Sequence, residues 1–388
     1  MNTSARSLRR TATWSAPLLT AVVVGGIALL PSAASASAHP RLPARSAAQL
    51  LAAVQTADVT ALSGTIVETA RLGLPSLPGQ DSSAALAWQT LVTGTHSARI
   101  WLDGADKQRL ALLGQLAESD VVHNGRDVWT YASDTQKVGH QVLPAEKVDA
   151  SSRVGAGKDL TTYTPQGAAA AALKAINPST IVTVDRTARV AGQPAYTLVL
   201  TPRDIRSTVR RVAIAVDAVH NIPLRVQVFG AAAAPAFETA FSDISFRRPA
   251  ASVFAFTPPK GATVSSDLLP LVTSGGSTSV PTHGKTGSTH RAVTARATEP
   301  SVVGTGWTSV LVLPAAKDGT SALAGLTGGA GGHNQTSSIL DRLISTLPNG
   351  DKVLRSALVN VLMTKDGRVL VGAVSTEVLQ QAAVGKAG

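Results

Sequence analysis

Along residues 211–230, RVAIAVDAVHNIPLRVQVFG, apolar and polar positions alternate in two runs. Val212, Ile214 and Val216 share one phase, and Leu224, Val226 and Val228 resume it after Asn221. A period of two places successive side chains on opposite faces of a strand, so the stretch predicts a β-hairpin with one apolar face. Asn221 stands where the turn needs a positive φ, which Asn tolerates. The same apolar phase recurs at Ala98, Ile100 and Leu102, at Leu110 and Leu112, and at Tyr196, Leu198 and Leu200. The opposite phase is mixed: Arg99, Trp101, Asp103, Thr197, Thr201, Arg225 and Gln227. Together these runs predict one large antiparallel sheet with a wet face and an apolar face.

Further strands are expected at 64–74, 97–104, 108–114, 120–132 (folded back at Asn124-Gly125), 138–143, 180–190, 195–202, 207–217, 224–230 and 237–246. Pro258-Pro259 marks the expected end of this sheet. Helical spacing is scarcer. Ser46 caps a helix over 46–57 with Leu50, Leu51 and Val54 on one face. Thr164 and Pro165 open a helix over 165–176 that Asn177-Pro178 stops. A short helix is expected over 84–92, and 144–162 reads as a polar loop. From 268 to 298 Ser, Thr, Gly and Pro dominate, the composition of a flexible linker. Beyond it, 306–314 predicts a strand, 338–347 an amphipathic helix, and 354–363 with 369–374 a hairpin.

The first residues read as an address. Arg6, Arg9 and Arg10 precede an apolar run over 16–30, and Ala36-Ser37-Ala38 fits a small-x-small cleavage site. This is the pattern of a secretory signal peptide over 1–38; its retention as an anchor is the alternative. The resulting division is 39–262 as the main domain, 263–300 as linker, and 301–388 as a small α+β domain or an extension of the sheet. The leader takes three of the 35 basic residues and none of the 24 acids, so the net charge falls from +11 to +8. A basic surface favours anionic partners, and outside the membrane those are lipid head groups or wall polymers. The positives are scattered and aromatics make up 4% of the chain, so nucleic acid is not an expected partner. There is no cysteine. That excludes a lipobox anchor, a disulfide and a thiol nucleophile.

Motifs for catalysis are missing. The 8 histidines are dispersed, with no pair at metal-ligand spacing. No Gly-x-Ser-x-Gly elbow occurs, and Ser4 to Ser7 is the leader. Gly304-Thr305-Gly306 leads into a strand and so fails the context of a dinucleotide loop. Asp103, Asp217 and Asp366 fall in turns. The chain reads as a non-enzyme with no catalytic residues, no metal and no cofactor. Its apolar face either fills an ordinary core or covers something else. The helix over 165–176 is mostly alanine, which approaches a sheet closely but fills little volume.

The order of elements resembles a known family. The pieces that carry the resemblance are 62-LSGTIVE-68, 126-RDVWTYAS-133, 195-AYTLVLTPRD-204, 212-VAIAVDAVHNIPLRVQVF-229 and 241-FSDISFRRPAASVFAFTPPKG-261. The chain is similar over 46–261 to the LolA/RseB superfamily of outer-membrane lipoprotein carriers and sigma-E regulators, in the branch of high-GC Gram-positive bacteria. The resemblance implies an α+β fold: a large curved antiparallel sheet, a half β-barrel, capped by a few helices. It also implies that acyl chains of lipids or lipoproteins lie against the apolar face.

On that reading the lipid-binding residues are Ile100, Leu102, Leu110, Leu112, Leu198, Leu200, Ile214, Val216, Val226 and Val228. Arg203, Arg206, Arg210 and Arg211 form a head-group entrance, and peripheral contact with an anionic membrane surface follows from the charge. Each buried methylene contributes about 0.8 kcal/mol, so a long acyl chain supplies ample gross stabilisation without covalent chemistry. The alternative is a regulator that binds a membrane anti-sigma factor through residues 301–388. A cell-wall hydrolase is a further alternative with no motif behind it. All of these place the protein outside the cytoplasmic membrane, in the envelope or secreted.

Overall fold

Strands rich in Val, Ile, Leu and Thr dominate the computed structural model, which describes residues 40–74, 86–87, 93–114, 117–143, 164–166, 169, 179–269, 272–273, 300–315 and 343–385. The leader, the 144–162 loop, most of the 165–176 helix and most of the linker lie outside the described residues. Helix α1 (Ala47–Gln55) begins with a capping box. The Ser46 hydroxyl accepts from the Gln49 N–H at 3.2 Å, and Gln49 Oε1 accepts from the Ser46 N–H at 2.8 Å. Two backbone donors that the helix cannot satisfy internally are thereby paired.

The strands that follow are β1 (Ala61–Arg71), β2 (Leu86–Ala87), β3 (Thr93–Asp103), β4 (Lys107–Leu113), β5 (Glu118–Asn124), β6 (Asp127–Ala132), β7 (Lys137–Val142), β8 (Thr180–Val190), β9 (Gln193–Pro202), β10 (Arg211–Asp217), β11 (Pro223–Phe229), β12 (Phe237–Ser245), β13 (Thr263–Ser265) and β14 (Val272–Thr273). Twelve of them form one sheet in the order β13-β7-β6-β5-β4-β3-β1-β12-β11-β10-β9-β8. Two meanders, β3 to β7 and β8 to β12, are joined by β1, which pairs with β3 on one side and β12 on the other. All pairings are antiparallel except β13 with β7. The sheet is curved and unclosed, with few helices, as the expected half-barrel class requires. Asn221 has φ of 58° in the β10–β11 turn. There the buried Asp217 carboxylate accepts from the Val219 N–H at 3.0 Å.

A second, six-stranded sheet follows: β15 (Ser301–Val303), β16 (Val310–Leu313), β17 (Ile344–Thr346), β18 (Lys352–Leu354), β19 (Asn360–Met363) and β20 (Val369–Gly372), in the order β15-β16-β20-β19-β18-β17. Helix α2 (Thr376–Ala383) covers it, with Val378, Leu379 and Ala382 buried against Val310, Val353, Leu362 and Leu370. The two sheets touch through the segment between β9 and β10. Thr208 N–H donates to Ala373 O at 2.9 Å and Ser375 N–H donates to Arg206 O at 3.1 Å; they also touch at the start of β8, where Trp307 Nε1 donates to Thr180 Oγ1 at 2.8 Å. On the other side Ala357 N–H donates to Leu72 O at 2.9 Å. Gly230 permits this approach, since a Cβ there would stand 2.5 Å from Ala357 O.

Four local expectations are corrected. Leu86–Ala87, inside the helix expected over 84–92, is a strand paired in parallel with β14. The end of the helix expected over 338–347 is strand β17, paired with β18. Its apolar spacing suits either element, and the tight turn at Asn349-Gly350 that Asp351 ties decides for a hairpin: Asn349 Nδ2 donates to Asp351 Oδ2 at 2.6 Å. Gly306–Thr308 is a 3-10 turn, so that strand starts later, at Val310. The sheet does not end at Pro258-Pro259, because β13 pairs with β7 beyond them. Helix α2 went unforeseen.

The wet face is also only half right. Over β4 to β6 the second face is covered by residues 251–256. Phe254 is 1% exposed there, Arg109 bridges the Asp120 carboxylate (2.8 Å) and the Val253 carbonyl (3.3 Å), and Phe256 lies against Trp129 and Tyr131. Burial pushes the Asp120 carboxyl up, and the hydrogen bond and charge of Arg109 oppose that rise. Two polar residues of the sequence pattern thus became a part-buried ion pair, because a later segment folded back over them.

Candidate functional site

Residues paired across antiparallel strands share a face, so the register traces the apolar face row by row. One row runs His96, Glu68, Thr239, Val226, Ile214, Leu198, Val184 across β3, β1, β12, β11, β10, β9 and β8. The neighbouring row runs Leu112, Ala98, Ile66, Phe241. A third runs Val121, Leu110, Ile100, Gly64. Gly64 lies so close to the Asp243 carbonyl that a Cβ would stand 2.5 Å from it, so only glycine lets β1 and β12 meet there.

The ten expected lipid-binding residues divide into two groups on this face. Ile100 and Leu110 are buried in a cluster with Leu62, Ile66, Ala98, Val121 and Phe241, and Leu102 and Leu112 pack against it. Leu198, Leu200, Ile214, Val216 and Val226 are buried in a second cluster, with Val228 against it. The second cluster is covered by Leu50, Leu51 and Val54 of α1, by Ala169, and by Trp307, Ala357 and Leu358 from the six-stranded sheet. Tyr196 anchors the segment before α1, its hydroxyl donating to Pro43 O at 2.8 Å.

Between the two groups sits a pair that the sequence reading missed. Glu68 and Thr239 face each other across β1 and β12. Their same-face neighbours along the strands are Ile66 and Ala70 on β1, and Phe237 and Phe241 on β12. Glu68 Oε1 and Thr239 Oγ1 are both buried without a hydrogen-bond partner. Burial pushes the Glu68 carboxyl up to about 7, since a low-dielectric setting disfavours its charged form. The signal lay in the sequence: Leu62, Gly64, Ile66, Glu68 and Ala70 hold one phase, and Glu68 is an acid in an otherwise apolar series.

The four arginines of the expected entrance lie on the segment between β9 and β10 and on the first residue of β10, and all are exposed. Arg206 pairs with Asp204 at 2.8 Å, and this hydrogen bond and charge hold the Asp204 carboxyl below the usual range. Arg210 donates to Ile205 O at 3.0 Å, and the Arg211 guanidinium lies 3.9 Å from the Phe229 ring centre. The backbone of the same segment carries the contact with the six-stranded sheet, so this edge is both basic and structural. Among the described residues no three His, Asp or Glu come together in a way that could hold a metal, and no helix is long and apolar enough to cross a membrane.

The fold and site define an open curved-sheet protein with an apolar face interrupted by buried polar groups. No family model and no curated protein matches the chain. Solved structures similar to it include the MucA/MucB complex of Pseudomonas aeruginosa, at 15% identity over 87% of this chain and 96% of that one, with a TM-score of 0.38. A conserved protein from Thermus thermophilus aligns at 12% identity over 56% of this chain and 98% of that one, with a TM-score of 0.31. A LolA-superfamily protein from Nitrosomonas europaea aligns at 11% identity over 55% of this chain and 99% of that one, with a TM-score of 0.20.

Proposed function

We propose that this protein is an exported, non-enzymatic binder that holds acyl chains of lipids or lipoproteins against the apolar face of its twelve-stranded sheet. The observation that carries the reading is the span of that face: apolar side chains line it from β3 to β9, broken at Glu68 and Thr239, and among the described residues their cover on the β8–β12 side is one nine-residue helix, Ala169 and a few side chains of the six-stranded sheet. The residues in contact with the chain would be Ile100, Leu102, Leu110, Leu112, Leu198, Leu200, Ile214, Val216, Val226 and Val228. Arg203, Arg206, Arg210 and Arg211 would present positive charge at one edge to an anionic head group or membrane surface.

The test is native mass spectrometry of the mature protein from its own export pathway, followed by solvent extraction. A discrete added mass that extracts as lipid is the expected outcome and gives the cargo class. A clean apo mass together with failure to bind added fatty acids or phospholipids would sink the reading.

A regulator that captures a membrane anti-sigma factor is the second reading. It is favoured by the open edge of the six-stranded sheet, where β15 carries Val302 at 64% exposure, a surface suited to strand addition. Loss of capture on removal of residues 300–388 would support it. Capture that survives the deletion would remove it.

A further inference from the structure

A buried hydrogen-bonding atom with no partner costs the fold free energy, so each one in a native protein calls for a reason. Two of those found here are neighbours in one cross-strand pair, Glu68 Oε1 and Thr239 Oγ1. They lie at the seam of the two apolar clusters, boxed by Ile66, Ala70, Phe237, Phe241 and Val226. A third, Gln166 Oε1, belongs to the helical residues one turn before Ala169, which packs into the same cluster as Val226. All three atoms can accept a hydrogen bond, and above about pH 7 two of them, the Glu68 carboxylate oxygen and the Gln166 amide oxygen, do nothing else.

We infer that Glu68 and Thr239 form a hydrogen-bond-accepting hook for an amphiphile whose apolar chain ends in a donor, a hydroxyl or a primary amine. The inference rests on the reading that this face takes an apolar chain, and it adds what the chain must carry. At pH 8, where the Glu68 carboxyl has released its proton, an ionised phosphate or carboxylate brings it only acceptors and a second negative charge, so such a head belongs elsewhere, as at the exposed arginine edge. A methyl ester likewise brings no donor. Sites built to hydrogen-bond a ligand group discriminate strongly against analogues that lack it, because the site's own buried groups are then left unpaired. His96, the partner of Glu68 on β3, is the one titratable residue beside it in the row.

The experiment is competition against a fluorescent acyl probe at pH 8, using the full mature chain and four ligands with the same alkyl chain: hexadecanol, hexadecylamine, hexadecanoate and methyl hexadecanoate. The alcohol and the amine are expected to bind about tenfold tighter than the ester and the carboxylate, the size of one hydrogen bond to a desolvated group. In Glu68→Leu that preference should collapse to less than about twofold while ester binding persists, which also shows that the variant folds. In Glu68→Gln the preference for the alcohol should remain while that for the amine drops. Equal affinity for all four ligands in the natural protein, or an unchanged preference in Glu68→Leu, overturns the hook and leaves the acyl-binding reading intact. Failure of all four to bind overturns both.

Discussion

The two sheets of this protein treat their buried polar groups differently. In the six-stranded sheet each is tied: Asn360 Nδ2 donates to Val374 O at 2.7 Å and its Oδ1 accepts from the Ser356 N–H at 3.2 Å, while Asp351 accepts from the Lys365 N–H at 3.0 Å and from Asn349 Nδ2. Helix α2 closes the apolar side with Leu379, which is fully buried. The twelve-stranded sheet has more area and less cover, and among the described residues the buried partnerless side-chain atoms all fall outside the six-stranded sheet. On the proposed reading, a bound amphiphile would supply the partner that Glu68 and Thr239 lack.

The comparison can be broken most forcefully in the smaller sheet. Leu370→Ala or Leu379→Ala removes a fully buried side chain and should cost about 2–5 kcal/mol, read from denaturant unfolding. Acyl-ligand affinity measured below the melting range should stay the same. A loss of affinity would mean that the two sheets work as one device.

The next largest effect belongs to Glu68. Its folded carboxyl stays protonated up to about 7, against 4.5 for the unfolded chain. Between those values the folded state holds a proton that the unfolded state has released, so this group's contribution is fully present below about 4.5 and is lost as pH rises through about 7. Glu68→Leu should therefore raise stability at pH 8 by up to about 3 kcal/mol, at about 1.4 kcal/mol per pKa unit, and flatten the slope of stability between pH 5 and pH 8. Thermal melts across that range in both proteins check it. An unchanged slope would show that the carboxyl is hydrated in solution.

Gly230→Ala probes the seam between the sheets. The new methyl would meet the Ala357 carbonyl, and the shift needed should cost about 1–3 kcal/mol. Hydrogen exchange should report it first in 355–359 and 372–375, on the side of the smaller sheet. Uniform protection in these segments would mean that the seam yields freely. The smallest effect is expected at the basic edge. Arg210→Ala with Arg211→Ala should change stability by less than about 1 kcal/mol, since exposed side chains contribute little. Binding to vesicles rich in anionic lipid should weaken by several-fold, and the difference should vanish at high salt. Equal binding at low salt would remove the edge from the site.

Much of the larger sheet could be read from the chain alone. Period-two alternation placed β3, β9, β10 and β11 and put Ile100, Leu198, Ile214 and Val226 on one face, because the pleat turns sequence parity directly into sidedness. The Asn124-Gly125 and Asn221 turns were equally legible, since positive φ admits few residue types. The candidate site was legible only as an apolar stripe. Glu68 was overlooked because an acid within a strand reads as an ordinary edge or surface residue until the register puts Thr239 and Phe241 beside it. The arginine cluster was visible in the sequence, but its place against the six-stranded sheet was not.

What the sequence by itself determined is local: which residues extend, where the chain turns, and which side of each strand is apolar. Those follow from backbone sterics and from the two-residue period, which need no distant partner. Only the tertiary structure decided that β1 joins the two meanders, that residues 251–256 bury the second face over β4 to β6, that 344–346 is a strand, and that a glutamate lies desolvated between two apolar clusters. Each of these depends on contacts between residues far apart in the chain, whose pairing is set by the total burial and hydrogen bonding of the whole fold and leaves no periodic trace in any one segment.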